Sequence, residues 1–220
     1  MKNIFVHLRI HSNFSLAEGM LSIDYLSEFC KKNNQPAIAI TDTSNMFGAL
    51  EFSINMVSNG IQPIIGMQVN ISSSIDSENS VGEVVLIAKN EIGYKNLLVL
   101  TSELSTNSNF EKFITFDNLK THKDGIILLT GGIENGFIGK PASLGSIVLV
   151  NDRLKVLKQL FYGNLYIELQ RHGIKGQFDA EKILLDSSEK FDLPLVATND
   201  CFFENENKFD AHQVLTRIDK

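Results

Sequence analysis

Histidine and aspartate side chains follow three apolar runs of the sequence at the points where those runs end. Arg9 and His11 close the first run, Asp42 and Thr43 follow the second, and Asp200 follows the third. Imidazole nitrogens and carboxylate oxygens are common ligands of divalent metal ions, whereas a guanidinium has no lone pair to offer a metal. The mixture indicates a metal-dependent hydrolase fold whose metal chemistry has been lost.

The length and charge of the chain exclude several classes of protein. At 220 residues it has the size of one large domain or two small ones, and we favour one. The formal net charge of −6 gives no general attraction to phosphates, and lysine and arginine are scattered along the sequence. We therefore do not expect this chain to bind nucleic acid independently.

Cysteine use and hydropathy indicate a cytoplasmic protein. The two cysteines, Cys30 and Cys201, are far apart and form neither a disulfide framework nor a zinc-finger spacing. The N-terminus lacks the apolar core of a signal peptide, and no run approaches the roughly 18 apolar residues of a membrane span. We expect no membrane partner.

Apolar runs of strand length alternate with helical patterns. Most of the runs are continuously apolar, as in strands that are covered on both faces of a parallel sheet. Strand followed by helix, repeated, predicts right-handed crossovers and a parallel sheet, either doubly wound or closed as a barrel. The predicted strands are residues 4–10, 37–40, 64–71, 84–88, 126–130, 165–169 and 195–198.

Apolar residues at helical spacing place helices between these strands. Ser22 is a candidate N-cap for the first helix. The predicted buried faces are Leu26, Phe29 and Cys30; Leu50, Ile54 and Val57; Leu97, Leu100 and Leu104; and Leu154, Leu157 and Phe161.

The polar residues at the strand ends favour the barrel. Barrel enzymes gather their functional residues at the carboxyl ends of the strands, and Gln68 joins the residues named above at this end. A doubly wound sheet usually has a glycine-rich turn after its first strand, and residues 11–15, HSNFS, lack it. We therefore predict an α/β fold, a distorted seven-stranded (β/α) TIM-like barrel.

Five stretches of the sequence together resemble one family. They are HLRIHSNFSLAEG (7–19), AIAITDTSNMFGALEF (37–52), GIQPIIGMQV (60–69), AKNEIGYKNLLVLTSEL (88–104) and VATND (196–200). They are similar to the polymerase and histidinol phosphatase (PHP) domain, in the form found at the N-terminus of the alpha subunit of bacterial DNA polymerase III. The resemblance implies a seven-stranded (β/α) barrel. In active members of the family, about three zinc, manganese or iron ions hydrolyse phosphoesters.

The resemblance also implies where the metal ligands of active members would fall, and most of these positions carry other residues. His11 and Asp200 match the family pattern, and Glu18 is a conservative change, so these three are the residual ligand candidates. We expect no catalytic residue and no bound metal in this chain. The vestigial site comprises Arg9, His11, Glu18, Asp42, Thr43, Gln68, Glu83, Gly132, Asp200 and Phe202.

Arg9 suggests what replaces the metals. Alternate residues of a strand share a face, so Arg9 should project on the same side as His11. A guanidinium there would pair with Asp42 or Asp200 and offset the repulsion between carboxylates. A solvated Arg9 is the alternative.

The remaining candidates are weaker. We interpret His7 as a packed or surface histidine, His172 as a loop residue with local hydrogen bonds and His212 as structural. Cys201, beside Asp200, is most simply a small buried apolar residue.

Two classes of function follow from the resemblance. The first is a non-catalytic module, with residues 1–205 as the PHP barrel and 206–220 as the start of a connection to the polymerase regions. It would brace a DNA-directed DNA polymerase, dock a proofreading exonuclease subunit and meet DNA only through the parent enzyme, whose polymerase site uses Mg²⁺. The alternative is a phosphoesterase or 3′–5′ exonuclease with a reduced zinc or manganese site.

Overall fold

The computed structural model describes residues 5–72, 81–106 and 113–218. No helix within these ranges combines the length and apolar character needed to cross a bilayer. The strands are β1 (Ala37–Ile40), β2 (Gln62–Ser72), β3 (Val81–Ala88), β4 (Ile114–Thr115), β5 (Ile126–Leu129), β6 (Leu165–Leu169) and β7 (Leu195–Ala197). The helices are α1 (Ile23–Asn33), α2 (Ala49–Ser58), α3 (Glu91–Thr106), α4 (Phe116–Thr121), α5 (Gly139–Ser143), α6 (Ile147–Leu160), α7 (Gln177–Phe191) and α8 (Phe209–Leu215), with a 3₁₀ turn at Glu206–Lys208.

The chain divides into two compact units. Unit 1 comprises Met1–Met67 and Asn199–Lys220, and unit 2 comprises Gln68–Thr198. Strand β2 begins in unit 1 and ends in unit 2. The predicted boundary at residue 205 stays a prediction.

In unit 1, β1 pairs in parallel with the first half of β2, with Ile40 opposite Ile65. The predicted first strand, residues 4–10, is only partly confirmed. Ile4 lies outside the described residues, and residues 5–9 are not assigned to a strand although the amide of Ala39 donates to the carbonyl of His7. Ile10 forms an isolated bridge to Cys201. Its amide donates to the hydroxyl of Thr41 instead of a backbone carbonyl, which interrupts the ladder.

In unit 2, strands β2, β3, β5, β6 and β7 are neighbours in that order, and β4 pairs with β2. The β5–β6 and β6–β7 pairs are parallel. The prediction of a wholly parallel sheet was wrong, because β3 and β5 are antiparallel, with Val85 opposite Leu129. A continuously apolar run reports burial on both faces and carries no information on strand direction. The short strand β4 lies outside the apolar runs of the sequence and was therefore not predicted.

Helix α1 follows the sequence prediction. The hydroxyl of Ser22 accepts a hydrogen bond from the amide of Tyr25, and Leu26 and Cys30 are buried. Asn34 ends the helix in the left-handed conformation, as is common at helix C-termini. The predicted buried residues Leu97 and Leu100 of α3, and Leu154, Leu157 and Phe161 at α6, are likewise in the core.

Helix α2 was predicted correctly, but with the wrong face buried. Phe52 and Met56 are fully buried, whereas Leu50, Ile54 and Val57 are exposed by 70%, 60% and 64%. The helix is apolar on more than one side, so helical periodicity alone does not choose between its faces.

Candidate functional site

Arg9 is the centre of a polar cluster in unit 1. Its side chain is buried, and its Nε lies 3.1 Å from Oδ1 of Asp200. Nε2 of His11 lies 2.9 Å from the same oxygen. The prediction that Arg9 pairs with one of the two aspartates is therefore confirmed, with Asp200 as the partner. A permanent cation occupies the place that the sequence assigns to metal ligands.

Both ring nitrogens of His11 take part in hydrogen bonds. Nδ1 lies 3.3 Å from the hydroxyl of Ser15 and 3.2 Å from that of Thr43, while Nε2 meets Asp200. The ring of Phe202 stacks on the imidazole, with a centroid separation of 4.2 Å and an angle of 10°. A metal ion needs an in-plane lone pair on one nitrogen, and neither nitrogen is available without displacing a partner.

Asp42 accepts hydrogen bonds from two serines. One oxygen accepts hydrogen bonds from the amide of Ser12 and the hydroxyl of Ser15, at 2.6 and 2.7 Å, and the other accepts from the hydroxyl of Ser12 at 2.8 Å. Burial raises the pKa of Asp42, and the serine hydrogen bonds oppose this rise. The carboxylate thus holds the turn after His11 instead of facing an open site.

The same turn fixes Glu18. The hydroxyl of Thr43 donates to Oε2 of Glu18 at 2.5 Å, and Nε2 of His212 lies 2.9 Å from the carbonyl oxygen of Glu18. An added Cβ on Gly19 would lie 2.0 Å from the carbonyl oxygen of Ser12, so only glycine permits this close approach. The structural interpretation of His212 from the sequence agrees with this contact.

Three of the predicted site residues lie in unit 2. Gln68 is buried on β2, and Glu83 lies on β3, where its backbone pairs with Asn135 and Phe137. Gly132 has no side chain, and a Cβ there would lie 2.1 Å from Oε1 of Gln170. The space that a ligand side chain would need is filled by Gln170.

A second buried polar cluster surrounds Glu168 in unit 2. The amide of Gly131 donates to Oε2 of Glu168 at 3.0 Å. Oε1 accepts hydrogen bonds from the side-chain amide of Gln170, at 2.9 Å, and from the hydroxyl of Thr198. Glu168 is 1% exposed, and these donors compensate for the desolvation of a buried carboxylate.

The donor set does not fit the family's metals. Neighbouring divalent ions need several anionic carboxylates and neutral imidazoles with free lone pairs around a bridging water. Here Arg9 contributes a positive charge, Phe202 contributes no donor atom, and both oxygens of Asp42 already accept hydrogen bonds from Ser12 or Ser15. Within residues 5–72, 81–106 and 113–218, no group of three or more His, Cys, Asp or Glu side chains is arranged to hold a metal ion.

The roles of several residues in these clusters were not predicted from the sequence. Ser12 and Ser15 are common residues whose roles depend on the turn that brings them to Asp42. Glu168 did offer a signal, because a single carboxylate inside the apolar run 165–169 must be buried with partners.

The elements and polar clusters described above define an α/β protein with buried polar residues in both units. The family model for the PHP domain matches residues 7–172 of the chain. The chain therefore belongs to the PHP domain family.

Curated relatives of the chain are DNA polymerase III alpha subunits. The chain is 33% identical to that of Haemophilus influenzae over 97% of its own length, 35% identical to that of Rickettsia bellii over 99%, and 34% identical to that of Caulobacter vibrioides over 97%. It spans only 18% to 19% of the length of these relatives.

Solved structures show the same fold at low sequence identity. An amidohydrolase from Chromobacterium violaceum, solved with sulfate and no metal, aligns over 96% of each chain with a TM-score of 0.63 and 11% identity. A candidate metal-dependent phosphoesterase from Bifidobacterium adolescentis covers 97% of this chain and 96% of its own, with a TM-score of 0.55 and 10% identity. These likenesses confirm the predicted fold class, an α/β TIM-like fold of the PHP type.

Proposed function

We propose that this chain is a non-catalytic PHP module of a replicative DNA polymerase alpha subunit. The observation that carries the proposal is the ion pair of the buried Arg9 with Asp200, which His11 shares. Asp200, one of the three residual ligand candidates, thus pairs with the guanidinium group, and His11, a second candidate, contacts the same Asp200 oxygen. The module is then a structural element of the polymerase rather than a nuclease.

Electrostatics supports this interpretation. A divalent ion near Arg9 would be repelled by a charge that cannot be removed by deprotonation. Moving Arg9 aside would break its ion pair with Asp200 in a largely buried position, and breaking a buried ion pair is strongly destabilising. The site is therefore stable in its metal-free form and opposes metal entry.

The names and lengths of the relatives support the wider role. They are alpha subunits of DNA polymerase III, and the chain corresponds to about a fifth of each. We propose that the chain packs against the rest of such a polymerase and docks a separate proofreading exonuclease subunit. DNA would reach the parent enzyme elsewhere, consistent with the net charge of −6 on this chain.

Metal analysis and a nuclease assay test the catalytic part of the proposal. The chain is purified without chelator, its metal content is measured by elemental analysis, and hydrolysis of a 3′-labelled oligonucleotide is followed in added MnCl₂. We expect substoichiometric metal and no hydrolysis above a protein-free control. Two or more tightly bound metals with turnover that is lost in His11→Ala would establish the phosphoesterase alternative.

Sedimentation velocity tests the docking part separately. The chain is mixed with the proofreading exonuclease subunit of the same organism, and the complex is compared with each component alone. We expect a one-to-one complex. If both proteins sediment independently at micromolar concentrations, this chain is not the docking platform.

A further inference from the structure

An apolar pocket of about 230 Å³ opens in unit 1, outside the Arg9 cluster. Residues from α1, the segment 7–10, Leu21 and the segment after Asp200 form its wall. Four rings face it, together with aliphatic side chains, one thiol and one carboxylate. The lining residues are His7, Ile10, Leu21, Tyr25, Leu26, Phe29, Cys201, Phe203 and Glu204.

The rings are held in place by their neighbours. Tyr25 and Phe29 are one helical turn apart on α1, with ring centroids 6.2 Å apart. The imidazole of His7 meets Phe29 edge-on at 5.7 Å, and Phe203 packs against His212 at 4.8 Å. The pocket wall is therefore fixed by tertiary packing, which favours binding because little ordering is needed.

Glu204 is the one acidic residue among the residues that line the pocket. Burial lowers the pKa of His7, which favours the neutral form of its ring. The pKa of Tyr25 is raised by burial and by the charge of Glu204, which places the negative potential of this carboxylate at the tyrosine. The pocket thus carries a single negative charge.

This charge has no counterion in the part of the chain that the structure describes. Within residues 5–72, 81–106 and 113–218, the Glu204 carboxylate forms no ion pair and accepts no side-chain hydrogen bond. An apolar, ring-lined pocket with one unneutralised carboxylate is complementary to a cation on an apolar stem, because aromatic faces attract cations and the wall buries the stem.

We propose that this pocket binds an organic ammonium ion with an apolar stem, either a free alkylamine or the side chain of a lysine in another protein. A cavity of about 150 Å³ can hold a benzene ring, so the volume of about 230 Å³ accommodates a stem of five or six carbons. The stem lies against Leu21, Leu26 and Phe29, and the ammonium group pairs with Glu204 beside the Tyr25 ring.

An NMR titration of the whole chain tests the charge requirement. The probes are hexylammonium, its neutral analogue hexanol and its anionic analogue hexanoate, and the readout is the ring resonances of Tyr25, Phe29 and Phe203. We expect hexylammonium to bind about fivefold or more tightly than hexanol, since about 1 kcal/mol of charge recognition corresponds to that factor, and hexanoate to bind more weakly than both. Equal affinities for hexylammonium and hexanol would overturn the proposal.

Two matched variants test whether the Glu204 carboxylate is the group that recognises the ammonium ion. Glu204→Gln keeps the shape of the side chain, and we expect it to weaken hexylammonium about fivefold and to leave hexanol unchanged. Glu206→Gln makes the same charge change at an exposed position outside the pocket and is expected to have no effect. Urea unfolding confirms that both variants are folded. The proposal fails if Glu204→Gln binds hexylammonium like the unmodified chain, or if the shifts lie away from the three rings.

A fourth probe separates the two sources of the ligand. Nα-acetyl-lysine methylamide presents the ammonium stem as a protein does, with a blocked backbone at its base. Binding of this probe at least as tightly as hexylammonium identifies a lysine side chain of a partner. Binding of hexylammonium with exclusion of the blocked lysine identifies a small amine.

Discussion

Arg9 determines the chemistry of the polar cluster in unit 1. Arg9 is a fixed cation, and Asp200 and His11 are oriented toward it or toward one another instead of toward a common metal. Ser12 and Ser15 donate three hydrogen bonds to Asp42, so both of its carboxylate oxygens hold the turn after His11.

The Arg9–Asp200 pair should contribute measurably to stability. We predict that Arg9→Met lowers the free energy of unfolding by about 2 to 4 kcal/mol, because breaking a largely buried ion pair by removing one of its members is strongly destabilising. Adding Asp200→Asn to Arg9→Met should recover part of this loss. Urea unfolding monitored by circular dichroism measures both.

Arg171→Met is the matched control. Arg171 also pairs with a carboxylate, that of Glu181, but its side chain is 73% exposed, and exposed pairs contribute little. A loss in Arg9→Met no larger than in Arg171→Met would contradict a structural role for Arg9.

His7 should make stability depend on pH. Burial lowers its pKa below the ordinary value of 6.5, so between the lowered value and 6.5 the unfolded chain binds more protons than the folded chain. The free energy of unfolding therefore decreases as pH falls below 6.5. We predict a shallower decrease in His7→Gln, by at most about 1.4 kcal/mol per pH unit, in urea titrations from pH 5 to 8. Parallel curves for the two proteins would exclude this role of His7.

At the scale of elements, the sequence predicted where most strands and helices lie but not how they face. Ser22 and the spacing of Leu26 and Cys30 located α1 correctly, because a cap and a single apolar stripe define both the start and the face of a helix. Helix α2 has apolar residues on two sides, and its buried side is chosen by neighbours that are distant in sequence. The direction of β3 was unpredictable for the same reason.

The faces of α2 can be distinguished by truncation. We predict that Phe52→Ala lowers the free energy of unfolding by about 3 to 5 kcal/mol, because the ring is fully buried and leaves a cavity. Ile54→Ala, on the 60% exposed side of the same helix, should change it by no more than about 0.5 kcal/mol. Urea unfolding of both variants measures the difference, and a reversed order would show that the face was misassigned.

At the scale of the molecule, the family and the fold class were predictable, and the arrangement of the site was predictable only in part. Motifs such as residues 37–52 identified the PHP family, and the sequence shows directly that Arg9 and Phe202 have no atom that can bind a metal ion. The contacts that surround Phe202 and Gly132 could not be predicted from the sequence. The stacking of Phe202 on His11 and the filling of the space at Gly132 by Gln170 depend on contacts between residues far apart in the chain.

The most direct test of the central claim is the metal dependence of stability. A single manganese site with a Kd of about 10 μM would raise the free energy of unfolding by about 2.7 kcal/mol in 1 mM MnCl₂. We predict identical urea unfolding curves in 1 mM MnCl₂ and in EDTA for the unmodified chain. The control variant is His122→Ala, which removes a histidine of unit 2 that lies 3.7 Å from Glu103 and outside the Arg9 cluster, and we expect the same result for it. A manganese-dependent increase of that size, absent in His11→Ala, would show that a metal site has survived around Arg9.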